Sequence, residues 1–276
     1  MNITASQVNE LRKLTGAGMM DCKHALVESN GEMETAIDYL RKKGQKVAAK
    51  RADRDATEGV VISKVSADAK YAAVVMINCE TDFVAKNDDF VKYAHSILDL
   101  AIMNKVETIE ELKALELNGR KVEDTITDQT GVIGEKIDLG AFFKIESEIT
   151  AAYIHPGNRL ATIIGLNKAE APNVAQIGRE LAMQIAAMDP VAIDESDVPQ
   201  EAIQREIEIG MEQARNEGKA EEMLEKIARG KLNKFYRENT LLNQDFVREN
   251  KKSVRQYLSE SDKALTVNAF KRVMLG

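Results

Sequence analysis

The sequence predicts an α+β protein, and three observations carry that prediction. Residues 1–44 place their apolar side chains at helical spacing. Two later stretches, ending in VVMIN (74–78) and IIGLN (163–167), each run from an apolar strand into an amphipathic helix. Residues 199–237 read as two striped helices around an Asn216-Glu217-Gly218 turn. Together they predict an N-terminal three-helix domain, a duplicated strand-strand-helix core and an inserted antiparallel hairpin of coiled-coil type. The expected domains are 1–54, 55–139 and 140–276, with the hairpin inside the last.

The first helix is expected to start at Ser6 and to bury Val8, Leu11 and Leu14, with Gly16 and Gly18 ending it. The second carries Met19, Cys22, Ala25 and Leu26 and stops at Asn30-Gly31. The third aligns Met33, Ala36, Ile37 and Leu40, with Gly44 as its expected end. A basic stretch follows, in which Arg41, Lys42, Lys43, Lys46, Lys50, Arg51 and Arg54 face the single acid Asp53; it reads as a solvated linker or helix extension.

Strands are expected at 60–65, 71–78, 142–153 and 160–167, and helices from about Asp88 and over Asn173–Met188. Residues 108–133 read as two short helical pieces. In the hairpin, Ile203, Ile207, Met211 and Ala214 stripe one arm and Ala220, Leu224, Ile227 and Phe235 the other. The tail adds a helix near Ser253–Leu258 and an apolar strand at 265–275.

Composition narrows the function. With 38 Lys+Arg against 45 Asp+Glu the net charge is −7, and 44% apolar residues can fill a large core. Residues 1–54 are net +3, so the remainder is net −10 and repels nucleic acid. Neither a signal peptide nor a membrane span is read, and Cys22 and Cys79 form no disulfide framework, so a cytoplasmic protein is expected. Three scattered histidines and two cysteines offer no zinc spacing. Phosphate-loop, dinucleotide and nucleophile-elbow motifs are all missing, and Asp21 spoils the one partial match at Thr15–Gly18. A binding protein without a cofactor, not an enzyme, is the expected class.

The connector between strand and helix is the most informative segment. In the second copy it is a plain KAEAP (168–172); in the first it is longer, CETDFVAKN (79–87). Phe83 and Val84 there either pack under the next helix or form an apolar wedge for a partner, and Asp82 either caps backbone amides or flanks that wedge. Met19 and Met20 are adjacent, so one is expected in the core and the other on the surface. His155, before Pro156-Gly157, reads as a turn residue.

The segment Leu11-Arg12 followed by TGAGMMDCK (15–23) and Ala25-Leu26 resembles the N-terminal signature of the bacterial translation elongation factor Ts family. NCETDFVAK (78–86) is similar to that family's second signature, and Tyr153-Ile154-His155 with Arg159 to a third. The resemblance implies a ubiquitin-associated-like N-terminal domain and nucleotide exchange on elongation factor Tu, bound in its GDP-loaded and nucleotide-free states. It further implies that Thr81, Asp82, Phe83 and Val84 disturb the partner's Mg²⁺ site, that Leu11, Met19 and Met20 contact its GTPase domain, and that His155 adds a contact. Two departures stand out: Met76 replaces a usual glutamate, and the chain ends at Gly276 without the longer C-terminal module of some members.

Three other readings remain at this stage. An RNA-binding translation accessory would use the 41–54 patch; an enzyme would use Cys79 as nucleophile; an adaptor for ubiquitin-like modifiers would use the N-terminal domain alone.

Overall fold

The computed structural model describes residues 3–276, and its helices and small sheets form an α+β fold. Three helices come first: α1 (Ala5–Thr15), α2 (Met19–Glu28) and α3 (Met33–Arg51). Thr4, not Ser6, caps α1: its hydroxyl accepts from Gln7 N while Gln7 Oε1 accepts from Thr4 N at 3.0 Å. Gly16 ends α1 at φ 70°, its N–H donating to Arg12 O. Val8, Leu11, Cys22, Ala25, Leu26 and Ala36 fill the space between the helices.

Gly44 does not close α3. The helix runs seven residues further, through most of the basic stretch, so that stretch is helix rather than linker. The glycine is there for close approach: Gly44 meets Gly131 of a later helix, where a Cβ on Gly131 would lie 2.4 Å from Gly44 Cα. Leu14 also departs from expectation and is 62% exposed, because the buried stripe of α1 ends with Leu11.

Strands β1 (Glu58–Val65) and β2 (Tyr71–Cys79) follow, then the single turn α4 (Asp82–Ala85) and the long α5 (Asp88–Asn104). The 108–133 region holds α6 (Ile109–Ala114) and α7 (Val122–Ile133). Between them lies a small hairpin, β3 (Glu116–Leu117) and β4 (Arg120–Lys121), turned by Asn118-Gly119 with both residues at positive φ.

The expected single strand at 142–153 is two strands, β5 (Asp138–Glu146) and β6 (Ile149–Ile154), in different sheets. The break is at Ser147, whose N donates to Lys70 O and whose hydroxyl donates to Leu166 O, outside any ladder of its own. β6 pairs antiparallel with β7 (Leu160–Leu166), and α8 (Val174–Met188) follows. Next come a 3-10 turn (Glu195–Asp197), α9 (Gln200–Asn216) and α10 (Glu221–Asn239), and finally β8 (Asp245–Phe246), β9 (Glu249–Ser253), α11 (Val254–Ser261) and β10 (Val267–Met274). The strand orders are β1-β2-β5 and β10-β7-β6. Each sheet takes two chain-adjacent strands, then a helix, and then a later strand beside the second.

Helices α9 and α10 pack on one another along Gly210, Ala214, Leu224, Ala228 and Leu232. The seam is offset from the expected stripe: Gly210 faces Ala228, and Ala220 is exposed at the head of α10. At 1.5 Å per residue, the 17 residues of α9 span about 25 Å.

The chain forms two compact units. One takes the chain up to Ile62, Val75–Phe143 and Met274–Gly276; the other takes Ser63–Val74 and Lys144–Val273. In the second, α8, β7, α11 and β10 enclose Leu181, Ile185, Leu241, Phe246 and Leu258. Glu180 is buried there; burial raises its pKa, but hydrogen bonds from Tyr257 and Gln176 and the charge of Arg248 hold it below the usual carboxylate range. Among the described residues no helix is long and apolar enough to cross a membrane.

Candidate functional site

The connector after β2 is a capped turn with its aromatic outside. Thr81 takes extended φ/ψ and its hydroxyl accepts from Val84 N, capping α4. One turn later Asn87 accepts from Asp89 N at 2.8 Å and caps α5. Two caps in series leave the chain few alternative paths. Phe83, in the middle of α4, is 83% exposed; it does not pack under α5, whose first core residue is Phe90. Val84 and Asp82 are half-buried. Asp82 accepts from Lys86 Nζ at 2.6 Å, and that bond holds its carboxyl below the ordinary range.

Cys79 lies beneath the turn, fully buried, with its Sγ donating to Thr81 O at 3.2 Å. Burial first, and the nearby Glu135 charge second, push the thiol up to about 12. A buried thiol that stays protonated is a poor nucleophile, which counts against Cys79 in that role. In native protein at pH 8, iodoacetamide should leave Cys79 unmodified over hours and label it at once in denaturant. Mass spectrometry of the Cys79 peptide would reveal fast native labelling, and with it a breathing turn.

The base of the turn is bound on both sides by carboxylates. Glu135 Oε2 accepts from Glu80 N (3.1 Å) and Thr81 N (3.0 Å), and its Oε1 accepts from the Thr81 hydroxyl (2.7 Å). Glu80 in turn accepts from Lys136 N at 2.6 Å and from Arg51 Nη1 at 2.7 Å. The Lys136 amide and then Arg51 outweigh burial and hold the Glu80 carboxyl low. Its contribution to stability is therefore present above the ordinary carboxylate pKa and lost as pH falls through the lowered value. Lys136 Nζ completes the arrangement by donating to Ala52 O and Arg54 O, just past α3. Sequence reading passed over Glu135 and Lys136, because nothing local distinguishes them from other charged loop residues.

The N-terminal candidates divide. Met19 and Met20, in the first turn of α2, are 54% and 73% exposed, so both face outward rather than one each way. Leu11 is 0% exposed, which places it under the surface as support for these helices. Leu14 joins the two methionines as an exposed apolar residue beside them in sequence. In the other unit His155 is exposed, in a turn closed by its N donating to Leu160 O, with its Nδ1 3.1 Å from Tyr153 Oη.

The basic stretch is less free than its charge suggests. Arg41 pairs with Asp38, Lys43 with Asp21 at 2.6 Å and Arg51 with Glu80. Three of its seven cations are thus neutralised within the fold, which weakens the RNA reading. A cavity of about 410 Å³ lies beside α3 and α7, but its charged lining is likewise paired, Arg120 with Asp128 and Lys43 with Asp21. Among the described residues no cluster of three or more His, Cys, Asp or Glu is arranged to hold a metal ion.

The presented aromatic and the two exposed methionines are what a protein-binding surface needs, and comparison with known proteins says in which company they occur. The family model described as Elongation factor TS matches residues 80–276. The chain is 51% identical over 274 residues to the Elongation factor Ts of Christiangramia forsetii, covering 99% of each chain. It is 50% identical over 276 residues to that of Amoebophilus asiaticus, covering both chains entirely, and 51% identical to that of Cytophaga hutchinsonii. With likeness running the whole length of these relatives, and both signature segments inside it, the chain belongs to the elongation factor Ts family.

Proposed function

We propose that this protein is a guanine nucleotide exchange factor that binds elongation factor Tu, GDP-loaded or nucleotide-free, and speeds GDP release. The observation that carries the reading is Phe83, a large apolar ring held almost fully exposed on a turn capped at both ends. Such a ring costs free energy in water and gains it in a partner's pocket.

Thr81, Asp82, Phe83 and Val84 act on the partner's nucleotide site. A GTPase holds GDP through phosphate contacts and a bridging Mg²⁺, so shifting the residues around that ion removes a large local charge. Phe83 supplies the displacement and the Asp82 carboxylate lies next to it. Contacts elsewhere offset the strain: Met19 and Met20 on the N-terminal domain, which acts as a ubiquitin-associated-like module over residues 1–54, with Leu11 as its internal support. His155 adds a contact from the 140–276 domain, and α9 with α10 acts as an antiparallel coiled coil. The core of 55–139 carries the wedge.

No bond is made or broken, so the protein needs no cofactor. Binding the nucleotide-free partner more tightly than the loaded one means, by reciprocity, that nucleotide weakens the complex by the same factor. Either GDP or GTP then expels the factor.

Release of fluorescent GDP from elongation factor Tu of the same organism tests the reading. A large acceleration that saturates with this protein is expected; none, from folded protein and competent partner, would sink it. Met20→Ala should weaken the complex with nucleotide-free partner by roughly five- to tenfold, since it truncates an exposed flexible contact without touching the core. Titration calorimetry giving an unchanged dissociation constant would remove α2 from the interface.

A further inference from the structure

We propose that Glu135 is a positioning residue for nucleotide exchange, stiffening the Phe83 turn through a clasp that it forms with Glu80, Lys136 and Arg51. The inference rests on the exchange reading above and adds to it the residues that hold the wedge against the load it must bear.

The clasp is crossed. The Glu135 carboxylate takes the amides of Glu80 and Thr81, while the Glu80 carboxylate takes the amide of Lys136, so each acid holds the backbone beside the other. Four hydrogen bonds at 2.6–3.1 Å join two segments more than fifty residues apart, three to Glu135 and one from Lys136 N, and Arg51 adds a fifth to Glu80 at 2.7 Å from the end of α3. Bonds from N–H to carboxylate are charge-assisted and stronger than neutral ones. The Glu135 segment is itself fixed, by Gly134 at φ 82° on one side and by Ile137 N donating to the buried Thr130 hydroxyl on the other.

The decisive atom is the Thr81 hydroxyl. It lies 3.5 Å from Val84 N as the cap of the turn bearing Phe83, and it donates to Glu135 at 2.7 Å. Glu135 thereby orients the cap that orients the wedge. A wedge free to swing would still bind, but part of its binding energy would be spent on ordering the turn rather than on displacing the partner. Glu135 is half-buried, so water can replace part of what its carboxylate gives the turn, and the thermal melts read the remaining cost to the fold.

Arg51 extends the clasp to α3. Its guanidinium on Glu80, with Lys136 Nζ on the carbonyls of Ala52 and Arg54, ties the end of the three-helix domain to the base of the wedge. This gives Arg51 of the basic stretch a task that charge alone did not suggest.

The experiment is stimulated GDP release from elongation factor Tu, measured over a range of factor concentrations for the wild type, Glu135→Ala, Glu135→Gln, Phe83→Ala and the Glu135→Ala/Phe83→Ala double variant, with thermal melts of each. Expected for Glu135→Ala is a maximal rate down about tenfold with the half-saturating concentration changed less than about threefold. Glu135→Gln, which keeps one acceptor oxygen, should recover part of the loss. In the Phe83→Ala background the Glu135 substitution should change nothing further, because the wedge it positions is gone. Faster amide hydrogen exchange at Thr81–Val84 in Glu135→Ala should accompany the loss of rate. A Glu135→Ala effect of equal size with and without Phe83, or one that tracks a lowered melting temperature in both Glu135 variants, overturns the inference while leaving the exchange function standing. A wild-type protein that accelerates nothing overturns both.

Discussion

Phe83→Ala will lower stimulated GDP release by about thirtyfold or more while leaving the melting temperature within about 2 °C of wild type. The two halves of this result come from one feature, the exposure of the ring. At 83% exposed, the ring contributes almost nothing to the core, and surface substitutions of that kind usually change stability by less than about 0.5 kcal/mol. The same ring, once buried in a partner, belongs to the small class of aromatic anchors whose truncation costs about 2–4 kcal/mol. The backbone of α4 should survive the change, since its N-cap is the Thr81 hydroxyl accepting from Val84 N, and its C-cap is the Lys86 N–H donating to Asp82 O. GDP release and differential scanning calorimetry on the same preparation check both halves. A melting temperature lowered by more than about 5 °C would mean that the ring packs against the protein in solution. An unchanged release rate would assign the displacement to another group, with Asp82 next to be tested.

The sequence marks this segment as unusual but leaves the direction of its aromatic open. The length and chemistry of residues 79–87, set beside the plain connector at 168–172, marked an addition that folding did not require. Whether Phe83 faces inward is a tertiary fact, fixed by a cap at Thr81 whose hydroxyl geometry depends on Glu135, 54 residues away. Local patterning carries no information at that separation. The same limit explains Gly44 and Ser147. A glycine inside a helical pattern can end the helix or admit a neighbour, and only the presence of Gly131 decides for the second. Ser147 interrupts an apolar alternation that otherwise continues, and the sheet change it marks is set by partners at Lys70 and Leu166. By contrast, the start of α5 and both ends of α8 are legible nearly to the residue, because each has a long apolar stripe that no tertiary contact needed to override. Met19 and Met20 fell between: adjacency on a helix places them on different sides, but both sides of the first turn of α2 are open.

Two glycines that face each other should respond oppositely to the same substitution. Gly44→Ala will be neutral or stabilise the protein by up to about 1 kcal/mol, the usual gain for replacing a mid-helix glycine. Its new Cβ would sit 3.5 Å from Gly131 Cα, an ordinary contact. Gly131→Ala adds the same methyl from the other side and places it 2.4 Å from Gly44 Cα and 3.4 Å from Gly44 C and N. Backbone cannot rotate aside as a side chain can, so α3 and α7 must separate, and a forced shift of this kind in packed structure costs about 1–3 kcal/mol. The separation reaches the site as well. α7 carries Val132, packed on the three-helix core, and leads directly into Gly134 and Glu135 under the wedge. Gly131→Ala should therefore lower both the urea midpoint and the stimulated GDP release rate, while Gly44→Ala lowers neither. Equal responses from the two variants would show that the helices cross with more room than this geometry gives them, and that the seat of the wedge lies in the clasp alone.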